Sequence, residues 1–176
     1  MLTLERCALA ALLCVATAAS AADAPKLGQA VSPADLAAWD ISIAPDGIGL
    51  PPGQGTSAQG EAVYASKCLA CHGEKGAGKP NDMLVGGAGS LAAGQTPVKT
   101  VGSFWPYATT LFDYIRRAMP YHEPKSLTAD EAYAVSAYIL ALNGIIGAGD
   151  VVDAQSLPKV KMPNREGFLA FPRVPR

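Results

Sequence analysis

Two thiols three positions apart, followed at once by an imidazole, occur in "CLACHG", residues 68 to 73. Cys68 and Cys71 fall on one side of a helical turn, because positions i and i+3 are neighbours on a helix surface. Sulfurs so placed can form thioethers with the two vinyl groups on one edge of a porphyrin. His72 then projects its imidazole at the iron as proximal ligand, so C-x-x-C-H predicts one covalently attached haem c. A zinc site would want four ligands, and no second cysteine pair follows this one. A redox dithiol needs no histidine beside it and favours a strand-to-helix setting.

An iron held by His72 requires a second axial ligand or keeps an open face, and that choice separates electron transfer from ligand chemistry. The candidates are Met83, Met119, His122 and Met162. Met119 is favoured as the second metal ligand. It lies 47 positions after His72, at the end of an amphipathic stretch and fixed by Pro120. At helical spacing it would otherwise be an ordinary core methionine. Met83 lies in a glycine-rich loop with little to hold it, and Met162 lies beyond the closing helix. His122, in a "YHEP" turn, is the runner-up, although a lone surface histidine is the commoner state. Trp105 is a candidate to donate its indole N–H to a haem propionate, and Tyr107, Arg116 or Lys99 to offset propionate charge. Against this, Trp and Tyr are core residues more often than ligand contacts, and "RR" at 116 and 117 suits a solvated helix end.

Three helices must position these groups. "QGEAVYASKCLACHG" reads as a short helix with Thr56 or Ser57 as cap, Val63 and Tyr64 facing a core, and Gly73 ending it. Residues 73 to 103 form a long loop of glycine and small residues, of the kind that wraps a ligand. "TTLFDYIRRAM" reads as a second helix, with Thr110 and Asp113 as capping box, Phe112, Ile115 and Met119 on one face, and Pro120 as stop. In "LTADEAYAVSAYILALNG", Thr128 and Glu131 form a capping box, and Ala132, Val135, Ile139 and Leu142 make an apolar stripe that Asn143-Gly144 closes. Gly60 and Tyr64 on the first helix, with Tyr138 on the last, predict a close crossing. No strand-period stretch or internal repeat competes, so the fold class is all-α.

Residues 1–22 read as a secretory signal: Arg6, an apolar run too short to span a bilayer comfortably, and small residues for cleavage after Ala21 or Ala22. The mature chain is expected in the periplasm, with no membrane span after cleavage. Its roughly 154 residues suit one core. The remaining organisation is an extended N-terminal arm at 23–56, rich in Pro, Gly and Ala, a haem domain at 57–144, and a proline-punctuated, extended C-terminal tail at 145–176. A net charge of -1 argues against a nucleic-acid binder. With Cys7 and Cys14 in the leader, only Cys68 and Cys71 remain, too few for a disulfide scaffold.

The order of parts resembles class I cytochromes c over roughly residues 57 to 144: a helix running into C-x-x-C-H, a glycine-rich loop, an aromatic segment, a Met after a middle helix and a final amphipathic helix. Over residues 39 to 168, "WDISIAPDGIGLPPGQGTSAQGEAVYASKCLACHG", "TVGSFWPYATTLFDYIRRAMPY", "LTADEAYAVSAYILALNGII" and "LPKVKMPNREGF" are similar to the cytochrome c subunit of sulfite dehydrogenases and of the bacterial sulfur-oxidation (Sox) system. The resemblance implies a small helical fold around one covalent haem, with Cys68 and Cys71 attached, His72 proximal and Met119 distal. It also implies a partner: a molybdenum-cofactor oxidoreductase subunit that passes single electrons to the haem, and a downstream electron acceptor. Many Sox-type relatives carry a second cytochrome domain, whereas one C-x-x-C-H occurs here. Two other readings are a freely diffusing electron carrier and a haem enzyme or gas sensor with an open face.

Overall fold

The computed structural model describes residues 28–169; the expected leader at 1–22 lies outside them. The chain divides into two units, Met1–Asp40 and Ile41–Arg176. The described part of the first unit holds one short helix, α1 (Pro33–Trp39), within a stretch whose breakers predict extended chain. It forms because Ser32 accepts the Asp35 N–H at 3.1 Å and Pro33 occupies a first-turn position, where its missing N–H costs nothing.

The second unit runs β1 (Gln54–Thr56), α2 (Ser57–Lys67), α3 (Leu69–His72), α4 (Ala108–Ala118), α5 (Ala129–Leu142) and β2 (Val151–Asp153), with 3-10 turns at Glu74–Gly76 and Leu157–Lys159. Helices dominate, as predicted. The addition is a two-stranded antiparallel ladder, β1 on β2, pairing Gln54 with Asp153, Gly55 with Val152 and Thr56 with Val151. Three-residue strands, one of them with a central glycine, are too short to show a period of two. The ladder packs on α5, with Val152 turned into the core and Gly55 against the Ala134 backbone.

Helix α5 is the central element. Its predicted stripe was to be one face, yet every residue from Ala132 to Leu140 is buried, because α2, α4 and the ladder all pack on it. Its start is the predicted capping box: Thr128 Oγ1 accepts the Glu131 N–H, and the Glu131 carboxylate accepts the Thr128 N–H at 2.8 Å. Helix α2 begins with a box of the same kind, Thr56 with Gln59. It buries Ser57, Gly60 and Tyr64, one helical stripe, while Val63 is partly buried against the core. The predicted crossing is present: a Cβ at Gly60 would run into the Ala134 carbonyl, and the Tyr64 and Tyr138 rings stand 5.3 Å apart.

Helix α4 starts two residues earlier than its expected cap. Tyr107 precedes it without a side-chain bond, and Thr110 lies inside the helix, exposed. Asp113 serves one turn later instead, bonding Arg117 at 2.8 Å. Arg117 also donates to the Ile41 carbonyl, so it is more than a solvated helix end. The segment before β1 is held by further single bonds, from Thr109 Oγ1 to the Pro45 carbonyl and from the Tyr133 hydroxyl to the Pro51 carbonyl. After β2, Met162 is buried, Asn164 donates to the Phe104 carbonyl, and Phe168 meets Phe104 edge-on.

Candidate functional site

The C-x-x-C-H sequence occupies its own turn. Helix α2 stops at Lys67; Cys68 leaves helical geometry at φ -121°; α3 then carries Leu69–His72, and Gly73 closes it at φ 73°. That positive φ is open to glycine, and a Cβ there would also stand 2.5 Å from the Gly78 carbonyl oxygen. The Tyr64 hydroxyl donates to the Gly73 carbonyl at 2.7 Å, tying the turn to the buried face of α2.

Cys68, Cys71 and His72 all line a cavity of about 530 Å³, within the range of cofactor pockets, roughly 300–1,000 Å³. Its buried wall is apolar, with Val101 from the loop, Leu111 and Ile115 from α4, Leu127 from the turn before α5, and Val135 and Ile139 from α5. Burial pushes the Cys68 thiol up to about 11, and Cys71 beside it adds to the rise. Among the described residues, no three His, Cys, Asp or Glu side chains gather as a metal cluster.

His72 Nδ1 lies 2.8 Å from the Asp82 carbonyl oxygen. A carbonyl only accepts, so Nδ1 carries the proton and Nε2 keeps the lone pair that a metal needs. The loop that supplies this carbonyl is stitched to the turn: Asn81 N–H donates to Cys71 O, Gly78 N–H to His72 O, and Leu84 N–H to Gly76 O. Sequence reasoning missed Asp82, because a backbone acceptor leaves no residue-type signature. The length and glycine content of the loop were the only signal.

Of the four candidates for a second ligand, Met83, Met119 and His122 line the cavity, and Met162 is in the core away from it. Met119 ends α4, with its N–H on the Ile115 carbonyl and extended backbone at φ -117°, ψ 143°. Met83 follows Asp82 directly, on the loop that holds His72, and its Sδ is 3.8 Å from where a Gly86 Cβ would be. Trp105 and Lys99 line the cavity as well; Trp105 meets Tyr114 edge-on, and the Lys99 ammonium lies 5.0 Å from the Phe104 ring centre. Tyr107 and Arg116 are not in the wall, and Tyr107 is covered by the Arg165 guanidinium.

The donor set fits a haem: a thiol pair and a tautomerically committed imidazole on one turn, a thioether on a separate element, and apolar side chains, all lining one cavity. The family described as cytochrome C oxidase, cbb3-type, subunit III matches residues 55–139. The crystal structure of the sulfane dehydrogenase SoxCD from Paracoccus pantotrophus matches 83% of this chain and 72% of its own at 40% identity, with a TM-score of 0.76. The chain belongs to the class I cytochromes c, close to those of Sox systems. No curated protein matches it. As a cytochrome c it is a haem electron-transfer protein. Among its described residues no helix is long and apolar enough to cross a membrane.

Proposed function

We propose that this cytochrome c is exported to the periplasm after loss of residues 1–22, binds one haem through thioethers at Cys68 and Cys71, and passes single electrons from a molybdenum-cofactor oxidoreductase subunit to a downstream acceptor. The similarity to a sulfane dehydrogenase supports a sulfur-oxidising complex. When bound, the haem supplies a reversible one-electron couple.

His72 is the proximal ligand in this reading, its Nε2 made available by the bond from Nδ1 to Asp82. Met119 is the distal ligand. The single observation that carries this is that α4 delivers the Met119 thioether to the same cavity that Cys68, Cys71 and His72 line. Met83 is a poorer choice because it is attached to the residue that supports His72, on the proximal side. A haem held by a thioether against this apolar wall would favour its reduced state. Trp105 lines the same cavity and would help to hold the haem, its indole N–H a donor for a propionate. The domain organisation proposed is a haem domain at 57–144 flanked by arms at 23–56 and 145–176, which embrace the haem domain or a partner subunit.

Replacing Met119 by Ala is expected to abolish the near-infrared charge-transfer band of Met-ligated ferric haem. The band should survive Met83→Ala; if it survives loss of Met119 and disappears with Met83, or is absent from the wild-type protein as ligation by His122 would require, the ligand assignment is wrong. Co-purification of the native protein with a molybdoenzyme separates the complex from a freely diffusing carrier, whose encounters would be monomeric and strongly salt-dependent.

A further inference from the structure

Asn143 is legible in the sequence as the residue that closes α5, but its side chain does more than end a helix. Its Oδ1 accepts the Gly86 N–H at 3.0 Å, and its Nδ2 donates to the Leu84 carbonyl at 3.2 Å and to the Ile139 carbonyl at 2.9 Å. The amide is packed from behind, since a Cβ at Gly102 would collide with Oδ1. Its two loop bonds fall on either side of Val85, two and four residues after Asp82, whose carbonyl accepts the hydrogen bond from His72 Nδ1. The same segment is tied to its own loop by Leu84 and Val85 N–H on the Gly76 carbonyl, and by Thr100 Oγ1 on the Gly86 carbonyl.

We infer that Asn143 is a positioning residue for His72: it couples the rigid end of α5 to the loop segment that holds the Asp82 carbonyl against Nδ1. The inference rests on His72 being the axial ligand. A firm Nδ1–H···O bond gives the imidazole more negative character and makes Nε2 a stronger donor, which favours oxidised iron. Loosening the segment lengthens that bond, weakens the donor and raises the reduction potential.

The test uses the full-length holoprotein with Asn143→Leu, which keeps the side-chain size and loses all three bonds. Two quantities are read: the reduction potential, and the exchange rate of the His72 Nδ1 proton by NMR of the ferrous protein. The expected result is a higher potential and proton exchange faster by on the order of tenfold, the effect of weakening one hydrogen bond. Leu142→Ala, a neighbouring partly buried position with no bond to the loop, is the control and should leave both unchanged. Unchanged potential and exchange in a folded Asn143→Leu protein overturn the inference, as does an equal change in the control. Should Asn143→Leu not accumulate, Asn143→Asp keeps an acceptor for the Gly86 N–H and loses both donations. It is judged by exchange alone, because its charge moves the potential by itself; faster exchange supports the inference and unchanged exchange overturns it. The His72 ring resonances of the ferrous wild-type protein separate the two levels: if they lack the large ring-current shifts of an imidazole bound to haem iron, the reading of the site fails first.

Discussion

Replacing Gly60 by alanine adds one methyl group where α2 crosses α5, and its cost can be worked from the contacts. The new Cβ would stand 2.8 Å from the Tyr138 Cβ and 2.5 Å from the Ala134 carbonyl carbon, with the Ala134 oxygen closer still. Carbon atoms in ordinary contact are about 3.5–4.0 Å apart, so the two helices must part by about 1 Å. The obstruction is backbone, which cannot rotate away, so the overpacking cost belongs near the top of the usual range of about 1–3 kcal/mol. Alanine returns about 1 kcal/mol in helix propensity, leaving a net loss of about 2 kcal/mol. For a chain of this size that lowers Tm by about 4–8 °C. Thermal unfolding of the holoprotein, followed by circular dichroism with the exposed substitution Glu61→Ala as control, measures it. Because α2 leads directly into Cys68 and His72, the haem absorption should shift with the crossing. A Gly60→Ala protein as stable as wild type, with an unshifted spectrum, would refute the reasoning.

Thr128→Ala removes the capping box of α5 and should cost about 1 kcal/mol, measured by denaturant unfolding. The box also makes stability depend on acid. The Glu131 carboxyl is held below its usual range by the Thr128 N–H and hydroxyl, so its contribution is complete above the ordinary glutamate pKa and is lost as pH falls through the lowered folded value. In Thr128→Ala that acid-dependent component should shrink. At the other extreme, burial pushes the Tyr133 phenol up to about 12, with the Asp153 charge adding to the rise. Its contribution to stability is therefore full below about 10, the unfolded value, and declines as pH rises toward 12. Tyr133→Phe should lose the bond to Pro51, about 1 kcal/mol at neutral pH, and should remove that alkaline decline.

The parts legible in the sequence were those whose signal is carried by residue type at fixed spacing. Cys68, Cys71 and His72 reach one cavity because a helical turn forces them there, and Thr128 with Glu131 caps α5 as the S/T-x-x-E pattern dictates. Gly60 against Tyr138 was legible for the same reason. What escaped depends on tertiary partners. Asp113 was free to cap α4 or to pair with Arg117, and packing chose the second. The ladder of β1 and β2 joins residues nearly a hundred positions apart and has no local pattern. The Asp82 carbonyl and the loop-holding amide of Asn143 act through backbone geometry, which a one-letter string does not display.

The most direct test of the haem reading is the intact mass of the exported protein made in cells equipped for cytochrome c maturation, taken after denaturation. The account predicts a red protein whose chain, cut after residue 21 or 22, keeps the mass of one haem, and whose Cys68→Ala, Cys71→Ala double variant loses it. A colourless product with the mass of the bare polypeptide would contradict it.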